Sequence, residues 1–250
     1  MTALLEVRGL SKRFGGLQAV GGVDLDVQVG ERRAVIGPNG AGKTTLFNLI
    51  TGHHRPDAGT VRFDRQDLTG SSTHRVAKAG IARAFQITSI FGGLSVFRNV
   101  ELGVLARHGE TRRFWGAAER RHAQQVEAIL NDVGLHPLAG ERAGNLSHGD
   151  QRALELAISL AMAPKLLLLD EPTAGMAPAE TVQTMRLIVR IADEQGLTVL
   201  FCEHDMEVVF GTADRVLVMH QGRPLAEGTP DEVRADPEVR RVYLGDEEVA

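Results

Sequence analysis

One cysteine, Cys202, stands among 250 residues, so no internal disulfide can form, which fits a reducing compartment. It lies inside the apolar run 198–202, where a thiol reads as buried and inert. No stretch approaches the ~20 apolar residues that a membrane-crossing helix needs, so any membrane role has to be peripheral, through a partner. The opening residues Met1-Thr2-Ala3-Leu4-Leu5-Glu6 lack the basic region, long apolar stretch and cleavage site of a signal peptide. Basic excess is missing too: 28 Lys and Arg face 32 Asp and Glu, for a net charge of −4, which implies neither a general nucleic-acid surface nor a strongly cationic membrane surface. The chain has no internal repeat, low-complexity tract or sustained heptad pattern. The 43% hydrophobic content is enough for a sizeable core in one large domain or two small ones.

What is present begins with Gly37-Pro38-Asn39-Gly40-Ala41-Gly42-Lys43-Thr44, a complete G-x-x-x-x-G-K-T loop. The mostly apolar run 33–36 before it reads as a buried strand and 44–51 after it as a helix, the context this loop requires. Glycines let the backbone curl until successive N–H groups face one concavity, and the helix N-terminus adds its positive end. Residues 37–44 and the following Thr45 are thus candidates to bind a nucleoside triphosphate. Lys43 would reach the β- and γ-phosphates, and the Thr44 hydroxyl would ligate Mg²⁺.

Elsewhere 4–8, 23–27 and 59–63 read as short strands, the last two alternating strictly. From 96 to 163 the character turns helical, with Val126, Ile129, Leu130 and Val133 at helical spacing, and likewise Leu156, Ala157, Leu160 and Ala161. Strand and helix then alternate: 166–169 strand, 179–195 helix stopped by Gly196, 197–202 and 216–219 strands. That order predicts an α/β fold with a parallel sheet and a helical subdomain inserted in its middle. The tail 230–250 is charged and reads as two short helices.

The second chemical element is Leu166-Leu167-Leu168-Leu169-Asp170-Glu171, an all-apolar strand ending in two carboxylates. A strand buried on both faces delivers Asp170 to the sheet edge where the phosphate loop also sits. Asp170 would hold Mg²⁺ through water, and Glu171 would polarise the water that attacks the γ-phosphate.

The third is Leu146-Ser147-His148-Gly149-Asp150-Gln151. Here the chain resembles the ATP-binding cassette (ABC) ATPases, whose signature reads L-S-G-G-Q. Leu146, Ser147 and Gly149 match, whereas His148 and Asp150 depart. Physically this is a second anion site, built from a hydroxyl, backbone N–H groups and a helix N-terminus. Without the resemblance Ser147 would read as a plain helix cap. The resemblance implies a P-loop ABC ATPase domain: a RecA-like core over about 1–90 and 164–229, an N-terminal antiparallel β subdomain, an α-helical signature subdomain over about 91–163, and a helical tail over about 230–250. It also implies that Ser147 and Gly149 close over ATP held by a second ATPase subunit, in a homodimer or a heterodimer.

Other positions match in turn. Phe14 aligns with the aromatic that stacks on adenine, although a lone aromatic by itself would read as core. Gln86 aligns with the glutamine that contacts Mg²⁺ and the attacking water, and His204 with the histidine that contacts the γ-phosphate. Most members carry an aspartate where this chain has Ala177. His53-His54, beside Asp57, read as a turn rather than a metal site, and the basic run 107–121 around Phe114-Trp115 as a solvated helix.

Within the family, Ala84-Phe85-Gln86, the run 90–100, the segment around Phe114-Trp115-Gly116 and the tail 239–245 are similar to the longer ATPase subunit of branched-chain (hydrophobic) amino acid importers. The tail also resembles the ATPase of lipopolysaccharide export, and Ser147-His148-Gly149 that of urea importers. The resemblance implies ATP and Mg²⁺ as ligands, integral membrane permeases as partners, a periplasmic binding protein as an indirect partner, no nucleic acid, and a peripheral place on the cytoplasmic face of the inner membrane. A cassette ATPase acting outside transport, in DNA repair or on ribosomes, is the rival reading. The missing coiled coil and the single cassette weigh against it.

Overall fold

The computed structural model describes residues 3–84, 90–110 and 122–244. Two sheets share the molecule. In the first, β1 (Leu5–Phe14) pairs antiparallel with β2 (Leu17–Val27). Val23, Leu25 and Val27 turn inward while Asp24 and Asp26 point away, as period-two alternation requires. After β3 (Arg32–Ile36) and helix α1 (Lys43–Ile50), β4 (Ala58–Phe63) joins β1 on its other side, and the two-residue β5 (Gln66–Asp67) closes the order β2-β1-β4-β5.

Strand β1 runs six residues past the 4–8 expected from sequence. Register shifts between Val7 and Leu10, Leu10 and Lys12, and Lys12 and Arg13 break its alternation, which hides the strand from a period-two reading. The extension matters because it carries the chain to Phe14.

The second sheet contains β3, then β6 (Ile81–Ala84), β7 (Leu166–Asp170), β8 (Thr198–Cys202), β9 (Arg215–His220) and β10 (Arg223–Gly228), in the order β10-β9-β3-β8-β7-β6. All pairings are parallel except β9 with β10, an antiparallel hairpin edge absent from the sequence expectation. The sheet is therefore mixed rather than wholly parallel. Every residue of β7 and β8 is buried. Leu167, Leu169, Val199 and Phe201 face one core, and Leu166, Leu168, Leu200 and Cys202 the other. Full burial of each such leucine contributes about 1.5–3 kcal/mol, so β7 is fixed in register and its last residue is placed firmly.

One core fills the space between the two sheets and takes in α1 through Leu46, Phe47, Leu49 and Ile50. The other runs under α3 (Val96–His108), α4 (Ala123–Asp132) and α5 (His148–Ala161) and continues to α6 (Pro178–Gln195). Val126, Leu130, Val133, Leu156, Ala157, Leu160 and Ala161 are buried as their spacing predicts, while Ile129 is half-buried. Helix α2 (Thr73–Ala79) precedes β6, and α7 (Met206–Thr212) follows β8. The tail forms α8 (Pro230–Ala235) and α9 (Pro237–Leu244), the two short helices its sequence suggested. Phe114-Trp115-Gly116 lies outside the described residues.

Candidate active site

Three adjacent strands of the mixed sheet, β3, β8 and β7, end side by side, and the chemistry stands on those ends. After β3 the chain turns through residues 37–42 into α1. Gly42, just ahead of the helix, has φ 101°, a left-handed conformation open to glycine. A Cβ there would lie 2.3 Å from the carbonyl oxygen of Ala19 in β2. The Lys43 side chain folds back over the loop, its Nζ donating to the carbonyls of Gly37 (2.6 Å) and Pro38 (3.3 Å). Burial pushes the Lys43 pKa down, partly offset by the nearby Cys202, Glu171 and Asp170. Asn39, Gly40 and Thr44 are exposed, Pro38 and Thr45 half-buried, and Gly37 and Ala41 buried. The loop thus presents its middle and its first helical hydroxyl outward.

Strand β7 ends in the buried Asp170, whose Oδ2 accepts from Arg83 Nη2 at 2.6 Å. Glu171 follows in a left-handed conformation (φ 54°) that is uncommon for a residue with a side chain and costs on the order of 1–3 kcal/mol. The kink, pinned by the bond from Glu171 N–H to the Cys202 carbonyl (3.1 Å), brings its carboxylate to His204 Nε2 at 2.6 Å. Cys202 is fully buried at the end of β8, and burial raises its thiol pKa well above the ordinary value, the inert state expected of it.

Two residues of this site were missed from sequence. Glu203, only 4% exposed, accepts from Thr173 N–H (2.9 Å) and Thr173 Oγ1 (2.6 Å), and its other oxygen accepts from His204 N–H (3.1 Å). It locks the turn after β7 to the turn after β8, and so fixes how Glu171 meets His204. A carboxylate directly after an all-apolar strand, as in Asp170, was the available signal. Arg83 was missed as well, since a lone arginine in a four-residue strand carries no motif.

Phe14 is 44% exposed, so the core placement that a lone aromatic would take is overturned. Its ring meets His54 edge-on at 5.3 Å, with Lys12 Nζ 5.6 Å from its centroid. Ser147 caps α5: its Oγ accepts from Asp150 N–H (3.2 Å) and donates to Asp150 Oδ2 (2.6 Å). His148 and Gly149 are exposed beside it. No hydrogen bond among the described residues joins Ser147 or Gly149 to the phosphate loop, so the chain alone does not bring its two candidate anion-binding helix ends together. Gln86 lies outside the described residues. Ala177 caps α6 without a side-chain oxygen, and Glu180 Oε2 accepts its N–H instead (3.1 Å).

The metal donors offered are a hydroxyl (Thr44) and a carboxylate (Asp170), all oxygen and few in number. That set fits Mg²⁺, which prefers one or two protein ligands plus water and phosphate oxygens. Asp170 Oδ1 accepts no hydrogen bond from the described residues and remains available. Among those residues no group of three or more His, Cys, Asp and Glu forms a metal cluster, His53 and His54 included.

Comparison with known proteins identifies the family. The ABC transporter family model matches residues 20–174, and the model described as branched-chain amino acid ATP-binding cassette transporter matches residues 223–249. The chain is 40% identical to the high-affinity branched-chain amino acid transport ATP-binding protein BraF of Pseudomonas aeruginosa, over 97% of this chain and 98% of that protein. It is 42% identical to LivG of Escherichia coli, described in the same words, over the same shares. The crystal structure of MJ1267, an ATP-binding cassette of an ABC transporter in its ADP conformation, superposes with a TM-score of 0.88 at 30% identity, covering 98% of this chain and all of that one. The chain therefore belongs to the ABC transporter family, as one of its ATP-binding, ATP-hydrolysing subunits, and its tail carries the segment that marks the branched-chain amino acid cassettes of that family.

Proposed function

We propose that this subunit powers the import of branched-chain amino acids, binding ATP between its own phosphate loop and the signature helix of a second ATPase subunit. The ATPase part of the reading is carried by the convergence of Lys43, Asp170, Glu171 and His204 at the ends of three neighbouring strands, and the cargo by the branched-chain tail and the 40–42% identical relatives.

The loop 37–44 and Thr45 cradle the phosphates, and Lys43 exchanges its two carbonyl partners for β- and γ-oxygens. Phe14, exposed at the end of β1, stacks on adenine. Thr44 and Asp170, with Gln86, would hold Mg²⁺, which neutralises charge developing on the phosphate oxygens. Glu171 orients the attacking water and takes its proton, once nucleotide draws His204 toward the γ-phosphate and frees the carboxylate. Ser147 and Gly149 complete the site of the partner subunit, with α5 offering its N-terminus to the γ-phosphate.

No helix among the described residues is long and apolar enough to cross a membrane. We place the protein peripherally on the cytoplasmic face of the inner membrane, bound to permease subunits. Their docking site in this reading is a cleft of about 350 Å³ between α2, β6 and α5, lined by Val76, Ala77, Ala82, Arg83, Ile158 and Met162 and lying just ahead of Gln86 in the chain. A periplasmic binding protein selects the cargo, and nucleic acid has no part.

Affinity capture of the tagged chain from native membranes in mild detergent tests this. Two many-helix permeases and a second, shorter ATPase should co-purify. A lipopolysaccharide-type permease pair would move the assignment to export, a urea permease would change the cargo, and ribosomes or DNA-processing proteins would end the transport reading.

A further inference from the structure

Arg83 stands between the cleft and the metal carboxylate. Its side chain is only 7% exposed and its guanidinium divides between two elements. Nη1 donates to Asn48 Oδ1 (2.7 Å) and Thr51 Oγ1 (3.3 Å) at the far end of α1, and Nη2 to Asp170 Oδ2 (2.6 Å) at the end of β7. The carbon between them lies 5.8 Å from the centroid of the Phe47 ring. The remaining donor, Nε, is buried without a partner among the described residues. Full satisfaction of its donors therefore does not explain where the guanidinium sits. The two elements it bridges are the helix whose N-terminus holds phosphate and the strand whose last residue would hold Mg²⁺.

We propose that Arg83 is a positioning residue for the ATPase site: by occupying Oδ2 it orients the Asp170 carboxylate so that Oδ1 alone faces Mg²⁺, and it fixes that oxygen relative to α1. This rests on the reading of Asp170 as a metal ligand. A carboxylate free to rotate presents either oxygen and loses affinity for a cation that demands near-octahedral geometry. Partners that hold metal ligands in place are worth about 10- to 100-fold in metal affinity or activity when removed. Unlike Lys, Arg presents a planar fork and can serve Asn48 and Asp170 at once.

The test uses the whole chain and a fluorescent ATP analogue, titrated with and without Mg²⁺. The readout is the ratio of the two dissociation constants, which a merely structural role would leave alone while both constants weakened together. Arg83→Met should cut the Mg²⁺-dependent gain about tenfold or more with Mg²⁺-free affinity unchanged. Arg83→Lys, which keeps the charge but cannot bridge both acceptors, should give an intermediate loss. A gain within twofold of wild type in folded Arg83→Met overturns the proposal. Should that variant fail to fold, Arg83→Lys decides, and a gain within twofold of wild type there overturns it equally. Asp170→Asn separates the two readings: if it abolishes the gain while the Arg83 variants keep it, only the Arg83 proposal falls. If Asp170→Asn keeps the full gain, Asp170 is not the metal carboxylate and both fall.

Discussion

Replacing Gly42 with alanine adds one methyl group at a confined point of the phosphate loop. Two costs follow. The first is conformational: at φ 101° an L-residue is strained by roughly 1–2 kcal/mol. The second is steric. The new Cβ would sit 2.3 Å from the Ala19 carbonyl oxygen, about 1 Å inside ordinary contact, and Ala19 belongs to β2, which is held by its ladder with β1. Forcing extra volume into such a place costs about 1–3 kcal/mol. The loop must deform by an equivalent amount, for a total of about 2–5 kcal/mol. At 1.4 kcal/mol per tenfold, ATP affinity should fall by roughly 30- to 3,000-fold. Gly40 is the internal control. Its φ of 80° is also left-handed, but nothing lies within 4 Å of a Cβ placed there, so Gly40→Ala should carry the strain alone and lose about 5- to 30-fold. Titration with a fluorescent nucleotide, together with urea melts to confirm folding, measures both. Equal losses in the two variants, or Gly42→Ala binding within threefold of wild type, would refute the reasoning.

Glu171→Gln keeps the side-chain shape and removes the base, so turnover should drop about 10²- to 10⁴-fold with ATP affinity retained, as read by phosphate release, and a retained rate would remove Glu171 from the chemistry. Ala177→Asp gives α6 the side-chain cap it lacks and should raise stability by about 0.5–2 kcal/mol in urea unfolding. Asp150→Asn withdraws a negative charge beside the Ser147 hydroxyl, so ATP-driven subunit association should tighten by about fivefold, the scale of 1 kcal/mol between charges a few ångströms apart in water, as measured by ultracentrifugation. Burial holds the folded Lys43 pKa below the unfolded value of 10.5. Between the two values the unfolded chain carries the extra proton, so this residue makes stability rise with pH across that window. Phosphates favour the charged ammonium, so ATP binding in the same window should take up a proton. Calorimetry in two buffers of different ionisation enthalpy would detect it, and buffer-independent heats would refute it.

The motifs were legible because each is short, local and bound to a particular turn of the backbone. Residues 37–44, the leucine run into Asp170 and the Ser147 cap could be read from neighbouring letters alone. The buried faces followed from the apolar pattern, since 166–169 and 199–202 are unbroken apolar runs and Val126, Leu130, Leu156 and Ala157 keep helical spacing. Strand β1 beyond Arg8 was not legible because its bulges scramble the alternation, and β10, with only Gly228 buried, lacks an apolar signal. Phe14 illustrates the same limit: composition favours the core for an aromatic, and only the length of β1 decides that it faces solvent.

The sequence by itself determined the ligand class, the alternation of the central strands and helices, and which of those strand ends carry charge, because those depend on local turn chemistry and on the period of the apolar pattern. Only the tertiary structure decided that β8 lies between β3 and β7, and hence that His204 meets Glu171. It alone showed that Glu203 ties two turns together, and that Arg83 spans from α1 to Asp170. These are contacts between residues distant in the chain. They depend on sheet order and on where buried charges find partners, and no local pattern encodes either.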